Sequence, residues 1–244
     1  EGHTDSALIY FHRGLQVDPE NMHILRELVN IYVQSEAFDS AIVYAARVVD
    51  LNPLNRSDVR RLAILYYGTD SLRLADSLFT QLVESGEYNK VNHYYLGRIA
   101  LVEEDFERAR DQFKRVTQMA DTSAQAWLDL AFAYRKLEQP EREIDAYQTG
   151  MEKMATEENA LRLMFALGAA YEQLGRFDEA VETFETIIAN SPNHAPSLNY
   201  LGYMLADRNE RLEYAYDLLK RAIDISPDNP AYLDSYGWVL YRLG

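Results

Sequence analysis

The chain has 244 residues, no cysteine, and 39 acidic against 24 basic side chains, for a net charge of -15. This balance argues against a nucleic-acid or anionic-membrane surface, because phosphate binding needs a basic stripe. Without cysteine, disulfides and thiol chemistry are excluded and the redox compartment stays open. No window approaches the roughly 20 apolar residues that a bilayer span requires, so direct membrane insertion is not expected.

In chain order, residues 1–20 read as one amphipathic helix carrying Ala7 and Phe11, closed by Pro19. From Met22, the spacing of Leu25, Leu28 and Tyr32 puts three side chains on one stripe of a helix. After a short turn a second stripe follows in Phe38, Ala41, Ala45 and Val48, and Pro53 stops it. The short turn predicts that the two helices pack antiparallel. The same cycle restarts at Arg56, Lys90, Ala124, Leu161 and Ala195 with a period of 34 residues, and a lone first helix closes the chain over 230–244. The expected organisation is therefore a lone second helix in 1–20, six units over 21–229 (22–55, 56–89, 90–123, 124–160, 161–194 and 195–229), and a truncated unit in 230–244.

Stacked at this period, the columns show what each unit needs. One column reads Leu28, Leu62, Leu96, Leu130, Leu167 and Leu201, and the next reads Val29, Ala63, Gly97, Ala131, Gly168, Gly202 and Gly237. Glycine inside a helix costs about 1 kcal/mol against alanine, so its recurrence implies close helix approach. Ala7, Ala41, Ala75, Ala109, Ala180 and Ala215 form a second small column, broken once by Glu143. A unit this short cannot bury its own apolar face, so neighbouring units must complete each core. Pro140 suits the first turn of a helix. Pro140, Glu143 and three extra residues before Leu161 together predict a looser contact or altered curvature between the fourth and fifth units. One further residue lengthens the turn Asn209-Glu210-Arg211.

The chain resembles the tetratricopeptide repeat (TPR) family, most closely in Trp127-Leu-Asp-Leu-Ala-Phe-Ala-Tyr134 and in Leu167-Gly-Ala-Ala-Tyr171 with Ala180, Phe184 and Pro192. The resemblance covers nearly the whole chain. It implies an all-α fold, a right-handed α-solenoid of antiparallel helix pairs with about 14 helices. The closing stretch, from Leu198 to Gly244, resembles bacterial repeat proteins, some of them envelope lipoproteins that act as adaptors for other proteins, including proteases. That implies a bacterial source and favours the envelope or periplasm over the cytoplasm. The chain begins inside a unit and reads as a piece of a longer array.

Catalytic chemistry finds little support. None of His3, His12, His23, His93 and His194 pairs with another at the three- or four-residue spacing that puts two metal ligands on one helix face, and His93 falls in an apolar column. No nucleophile elbow or phosphate-cradling glycine run occurs. No enzyme activity, cofactor or metal is expected.

What remains is a surface. In the TPR family the first helix of each unit lines a concave groove, which by column assigns Arg26, Asn30, Arg61, Tyr94, Tyr95 and Arg98 in the first three units. Later units give Phe132, Arg135, Phe165, Tyr200, Tyr203 and Trp238. Arginine and aromatic residues are enriched at interface hot spots. The competing reading is packing between helices for the aromatics and surface ion pairing for the arginines. The clamp by which some family members hold chaperone tails is incomplete here: Arg26 and Asn30 fit, whereas Arg61, Val91 and Tyr95 stand where an asparagine and two basic groups belong. The asparagine ladder of the sugar-transferring members is also missing, since only Asn30 in its column is an asparagine. The resemblance thus implies a scaffold or adaptor binding a protein or peptide. The alternative is a recognition or regulatory arm of a larger enzyme. Self-association through the uncapped terminal helices is a further expectation.

Overall fold

The computed structural model describes residues 2–86, 89–119, 123–154 and 156–244, with side chains from Ser6 onward, so His3 lies outside the described side chains. Among the described residues there are 14 helices and no strand. They fall into two compact units divided after Met119. The first holds α1 (Gly2–Val17), α2 (Met22–Gln34), α3 (Phe38–Leu51), α4 (Arg56–Gly68), α5 (Leu72–Glu84), α6 (Lys90–Val102) and α7 (Phe106–Thr117). The second holds α8 (Ala124–Lys136), α9 (Pro140–Glu152), α10 (Glu157–Gln173), α11 (Phe177–Asn190), α12 (Ala195–Asp207), α13 (Leu212–Ile225) and α14 (Pro230–Leu243). Among the described residues, no helix is long and apolar enough to cross a membrane.

Many of the helix ends have a local cause. Asn21, Asn55, Asn89 and Asn229 cap α2, α4, α6 and α14, each accepting a backbone N–H of the first turn on its side-chain oxygen. The helices that precede Pro19, Pro53, Pro192 and Pro227 all end two residues earlier, at Val17, Leu51, Asn190 and Ile225. Between the paired helices the chain turns through a left-handed residue: Glu36, Asp70, Glu104, Glu138, Gly175 and Asn209 all have φ between 56° and 72°. Only one of these six is glycine. The longer turn before α13 is absorbed by a second left-handed residue, Arg211, at φ 47°.

Every helix pair in substantial contact consists of neighbours in sequence or next-but-one neighbours within a unit. The small columns explain how closely they approach. A Cβ on Gly97 would stand 2.8 Å from the Phe113 ring, one on Gly168 would stand 2.9 Å from Phe184, and one on Gly202 would stand 2.6 Å from Leu219. Ala41, Ala75, Ala109, Ala180 and Ala215 are fully buried. His93 is buried as well, with Nδ1 2.8 Å from Gln112 Oε1.

The region around Glu143 departs from expectation. Residues 157–160, read from sequence as the end of the fourth unit, form the first turn of α10, capped by Thr156 Oγ1 on the Asn159 N–H. The contact between α9 and α10 is not looser; it is more extensive than that between α11 and α12. Gly150 of α9 makes this possible, because a Cβ there would meet Trp127 at 2.8 Å and Leu163 at 3.0 Å. Leu163 is therefore inserted where a side chain would otherwise stand.

Candidate protein-binding face

The first helices of the pairs carry the sequence-assigned residues, and in the first unit many of them are bonded to one another. Arg26 on α2 forks onto Asp58 of α4, with Nε to Oδ1 at 3.2 Å and Nη2 to Oδ2 at 2.6 Å. Arg61 on α4 returns to α2, donating from Nη2 to Asn30 Oδ1 at 2.7 Å. Arg60 reaches forward to α6, donating to Asn92 Oδ1 at 3.0 Å. Hydrogen bonding to Asp58 raises the pKa of Arg26, whereas burial lowers that of Arg61 against the pull of Asp58 and Glu27. These arginines tie successive first helices together.

The aromatics of α6 also face inward. Tyr95 stacks on Phe79 at 5.1 Å and meets the edge of Tyr67 at 4.9 Å, and Tyr94 meets the edge of Phe113 at 6.0 Å. Arg98 Nη1 donates to the Tyr94 hydroxyl at 3.5 Å. The packing reading therefore describes the observed contacts of Tyr94 and Tyr95.

The second unit is more open on this face. Phe132 of α8 lies beneath both Arg135, 5.2 Å from the ring centre, and Lys136, at 5.6 Å. Arg135 also reaches Gln173 Oε1 at 3.5 Å and, from Nη1, Glu143 Oε1 at 3.9 Å. Phe165 and Tyr200 both pack on Phe184, at 5.4 and 4.8 Å. The Tyr200 hydroxyl donates to Glu172 at 3.3 Å; burial, reinforced by that carboxylate, pushes its pKa up to about 12. Tyr203 is 44% exposed and borders a shallow concavity with Asp207, Leu233, Asp234, Gly237 and Trp238. Trp238 stacks on Tyr241 at 5.6 Å, with the Arg242 guanidinium 5.4 Å from its ring centre.

Among the described residues, Trp127 Nε1 on α8, Asn199 Oδ1 on α12 and Trp238 Nε1 on α14 are shielded from solvent and have no hydrogen-bond partner. A buried polar group left without a partner costs about 1–3 kcal/mol.

Sequence reading missed Asp58, Asn92, Glu143 and Gln173, which fix the arginines. A signal for some of them exists. Arg26–Asp58, Arg60–Asn92, Asp76–Arg108 and His12–Tyr44 all join residues 32 apart, two short of the period. Complementary residues at that spacing identify side chains that will bond across successive pairs.

The profile of the tetratricopeptide repeat family matches residues 94–150 and 162–230. A TPR repeat-containing protein of Pseudomonas aeruginosa is 28% identical over 186 residues, covering 62% of this chain and 31% of that protein, so this chain spans about a third of that relative's length. Among solved structures, the C-terminal part of a TPR repeat-containing protein from Cytophaga hutchinsonii superposes with a TM-score of 0.76 at 13% identity, covering 96% of this chain and 94% of that one. YrrB, described as a TPR protein with an unusual peptide-binding site, gives a TM-score of 0.58 at 24% identity over 79% of this chain and 97% of that one. Folds of this kind generally mediate protein–protein interaction. With more than half of its residues under the family profile and paired helices in both units, the chain belongs to the tetratricopeptide repeat family.

Proposed function

We propose that the chain is a protein-binding module whose second unit holds an extended peptide across the first-helix face of α12 and α14. The observation that carries this reading is the open concavity between α12 and α14, in which the exposed Tyr203 stands with Asp207, Asp234 and the Trp238 ring. An extended peptide backbone carries a donor and an acceptor at every residue other than proline, which suits the Tyr203 hydroxyl and the carboxylates of Asp207 and Asp234 along that concavity. Tyr203, exposed beside Trp238, supplies an apolar and hydrogen-bonding wall, the kind of rigid aromatic that anchors interfaces. The peptide-binding description of YrrB is in keeping with this use of the fold. The net charge of -15 steers cationic or mixed-charge segments toward the protein.

The test is capture of peptides from a displayed random library, followed by titration of the best binder against Tyr203→Ala and Asp234→Ala. Loss of about tenfold or more in affinity in each, at unchanged melting temperature, is the expected result. Unchanged affinity in both sinks the reading.

A further inference from the structure

We propose that an acidic side chain of the bound peptide docks on Arg135 of α8, so that the peptide crosses α8, α10 and α12 with an anionic residue at one end and a cationic residue at the other; this rests on the peptide-binding reading above. The observation that carries it is how Arg135 spends its donors. The Nε–Nη2 edge of a guanidinium matches the two oxygens of a carboxylate. Arg26 shows that pairing within this protein, with Nε and Nη2 on the two oxygens of Asp58. Arg135 reaches Gln173 at 3.5 Å and Glu143 at 3.9 Å, both through Nη1. Among the described residues, no carboxylate stands on its Nε–Nη2 edge. The side chain is 41% exposed and lies over the Phe132 ring, which also carries the Lys136 ammonium. In a chain of net charge -15 this is a local positive spot with a rigid aromatic base. The first unit supplies the contrast, since Arg26, Arg60 and Arg61 each bond to a neighbouring first helix.

The next two first helices give the peptide its direction. Arg135 of α8 bonds to Gln173, and the Tyr200 hydroxyl of α12 donates to Glu172, so the two links meet at the last turn of α10. Lys136, Gln173 and Asp207 are the closing residues of α8, α10 and α12. Along this row the side chains change from ammonium through amide to carboxylate. Asp207 also borders the concavity that holds Tyr203. A segment laid along the row therefore meets opposite charges at its two ends, and the reverse orientation sets like charge against like at both. At about 10 Å per helix step and about 3.3 Å per extended residue, its acidic and basic residues stand about six apart.

The experiment selects binders from the displayed random library on wild type and titrates the best of them, as a synthetic peptide, by calorimetry. The proteins are wild type, Arg135→Gln and Arg135→Lys, and the peptides are the binder and a copy whose acidic residue is replaced by its amide. Arg135→Lys keeps a cation in the last turn of α8, where it favours the helix dipole, and removes only the fork. The selected peptides should share an acidic and a basic residue at the stated spacing. Arg135→Gln should weaken the binder about tenfold at unchanged melting temperature, and Arg135→Lys should weaken it as well. The amide peptide should lose the same factor on wild type and nothing further on Arg135→Gln, the signature of two groups in direct contact. Selected peptides without an acidic residue, an Arg135→Gln protein that binds as wild type does, or losses that simply multiply overturn the docking. If Tyr203→Ala still loses affinity in that event, the peptide-binding reading stands without it. A library that yields no binder overturns both.

Discussion

The helices α12 and α14 carry the same leucine, glycine, leucine triad in the same register, and the neighbour of each decides what it becomes. In α12 the triad is core, closed by α13; in α14 it is surface, although the other side of that helix buries Ser235 and Val239. The difference teaches that a repeat column specifies the shape of a surface, while burial is supplied from the next helix. A single residue in such an array therefore has no fixed energetic value until its neighbour is known.

This contrast can be broken by substitution. Leu198→Ala or Leu205→Ala is expected to lower stability by about 2–5 kcal/mol, the range for a fully buried leucine. Leu233→Ala and Leu240→Ala in dilute protein are expected to change it by less than about 1 kcal/mol. Urea unfolding followed by circular dichroism measures all four, and equal losses would mean that α14 is covered in the monomer. The glycines sharpen the same comparison. Gly202→Leu should cost about 1–3 kcal/mol through collision with Leu219 and the Ala215 carbonyl. Gly237→Ala should instead gain about 0.5–1 kcal/mol, from helix propensity in open space. Melting temperatures of opposite sign relative to wild type are the readout.

The alanine column offers a parallel contrast, between Ala109 or Ala180 and Glu143. Glu143 is 2% exposed, and burial raises its carboxyl pKa against the opposing pull of Arg135 and of the Tyr147 hydroxyl, which donates to it at 3.3 Å. The folded state thus holds this proton more tightly than the unfolded chain, whose glutamates titrate near about 4.3. The stability linked to that proton is complete below the ordinary value and is lost as pH rises through the raised one. Glu143→Gln should therefore gain about 1 kcal/mol at neutral pH, and the gain should vanish on acidification toward pH 4. Chemical unfolding at both pH values tests it; a gain independent of pH would remove the buried charge as its cause. The smallest expected effect belongs to the turns. Glu104→Gly relieves a left-handed residue at φ 58°, where Gly175 already stands in the corresponding turn, and should add about 0.5–1 kcal/mol. No change in thermal unfolding would show that the glutamate is held there without strain.

The fold was largely legible because its signals are local and repeated. The stripes Leu25, Leu28, Tyr32 and Ala41, Ala45, Val48 mark helices that need no long-range information, and Pro19, Pro53, Pro192 and Pro227 stop helices by backbone sterics. The asparagine caps at 21, 55 and 89 keep the same period of 34, a local signal that went unread. The face was less legible because column position gives a direction and no partner. Arg26 and Arg61 stand on first helices, but Asp58 and Asn30 occupy their guanidinium groups. Tyr95 and Phe165 are spoken for by Phe79 and Phe184. Conversely, nothing in the residue types of Asn199 or Trp238 shows that their polar atoms end up shielded and unpaired; that depends on how α12 and α14 stand against their neighbours. The residues before Leu161 misled because an insertion can lengthen a helix as easily as a loop, and only Gly150 opposite Leu163 explains why α10 gained a turn without loss of contact.

The restriction of every substantial contact to adjacent or next-but-one helices has a kinetic consequence. Little loop-closure entropy must be surrendered before a contact forms, which places such chains among fast folders. The same locality lets one helix pair open while its neighbours persist, so that amide protection varies along the chain in steps set by individual pairs. A ligand that bridges α12 and α14 would then act as a clasp on one step of this sequence, slowing its opening while leaving the exchange rates of distant pairs untouched.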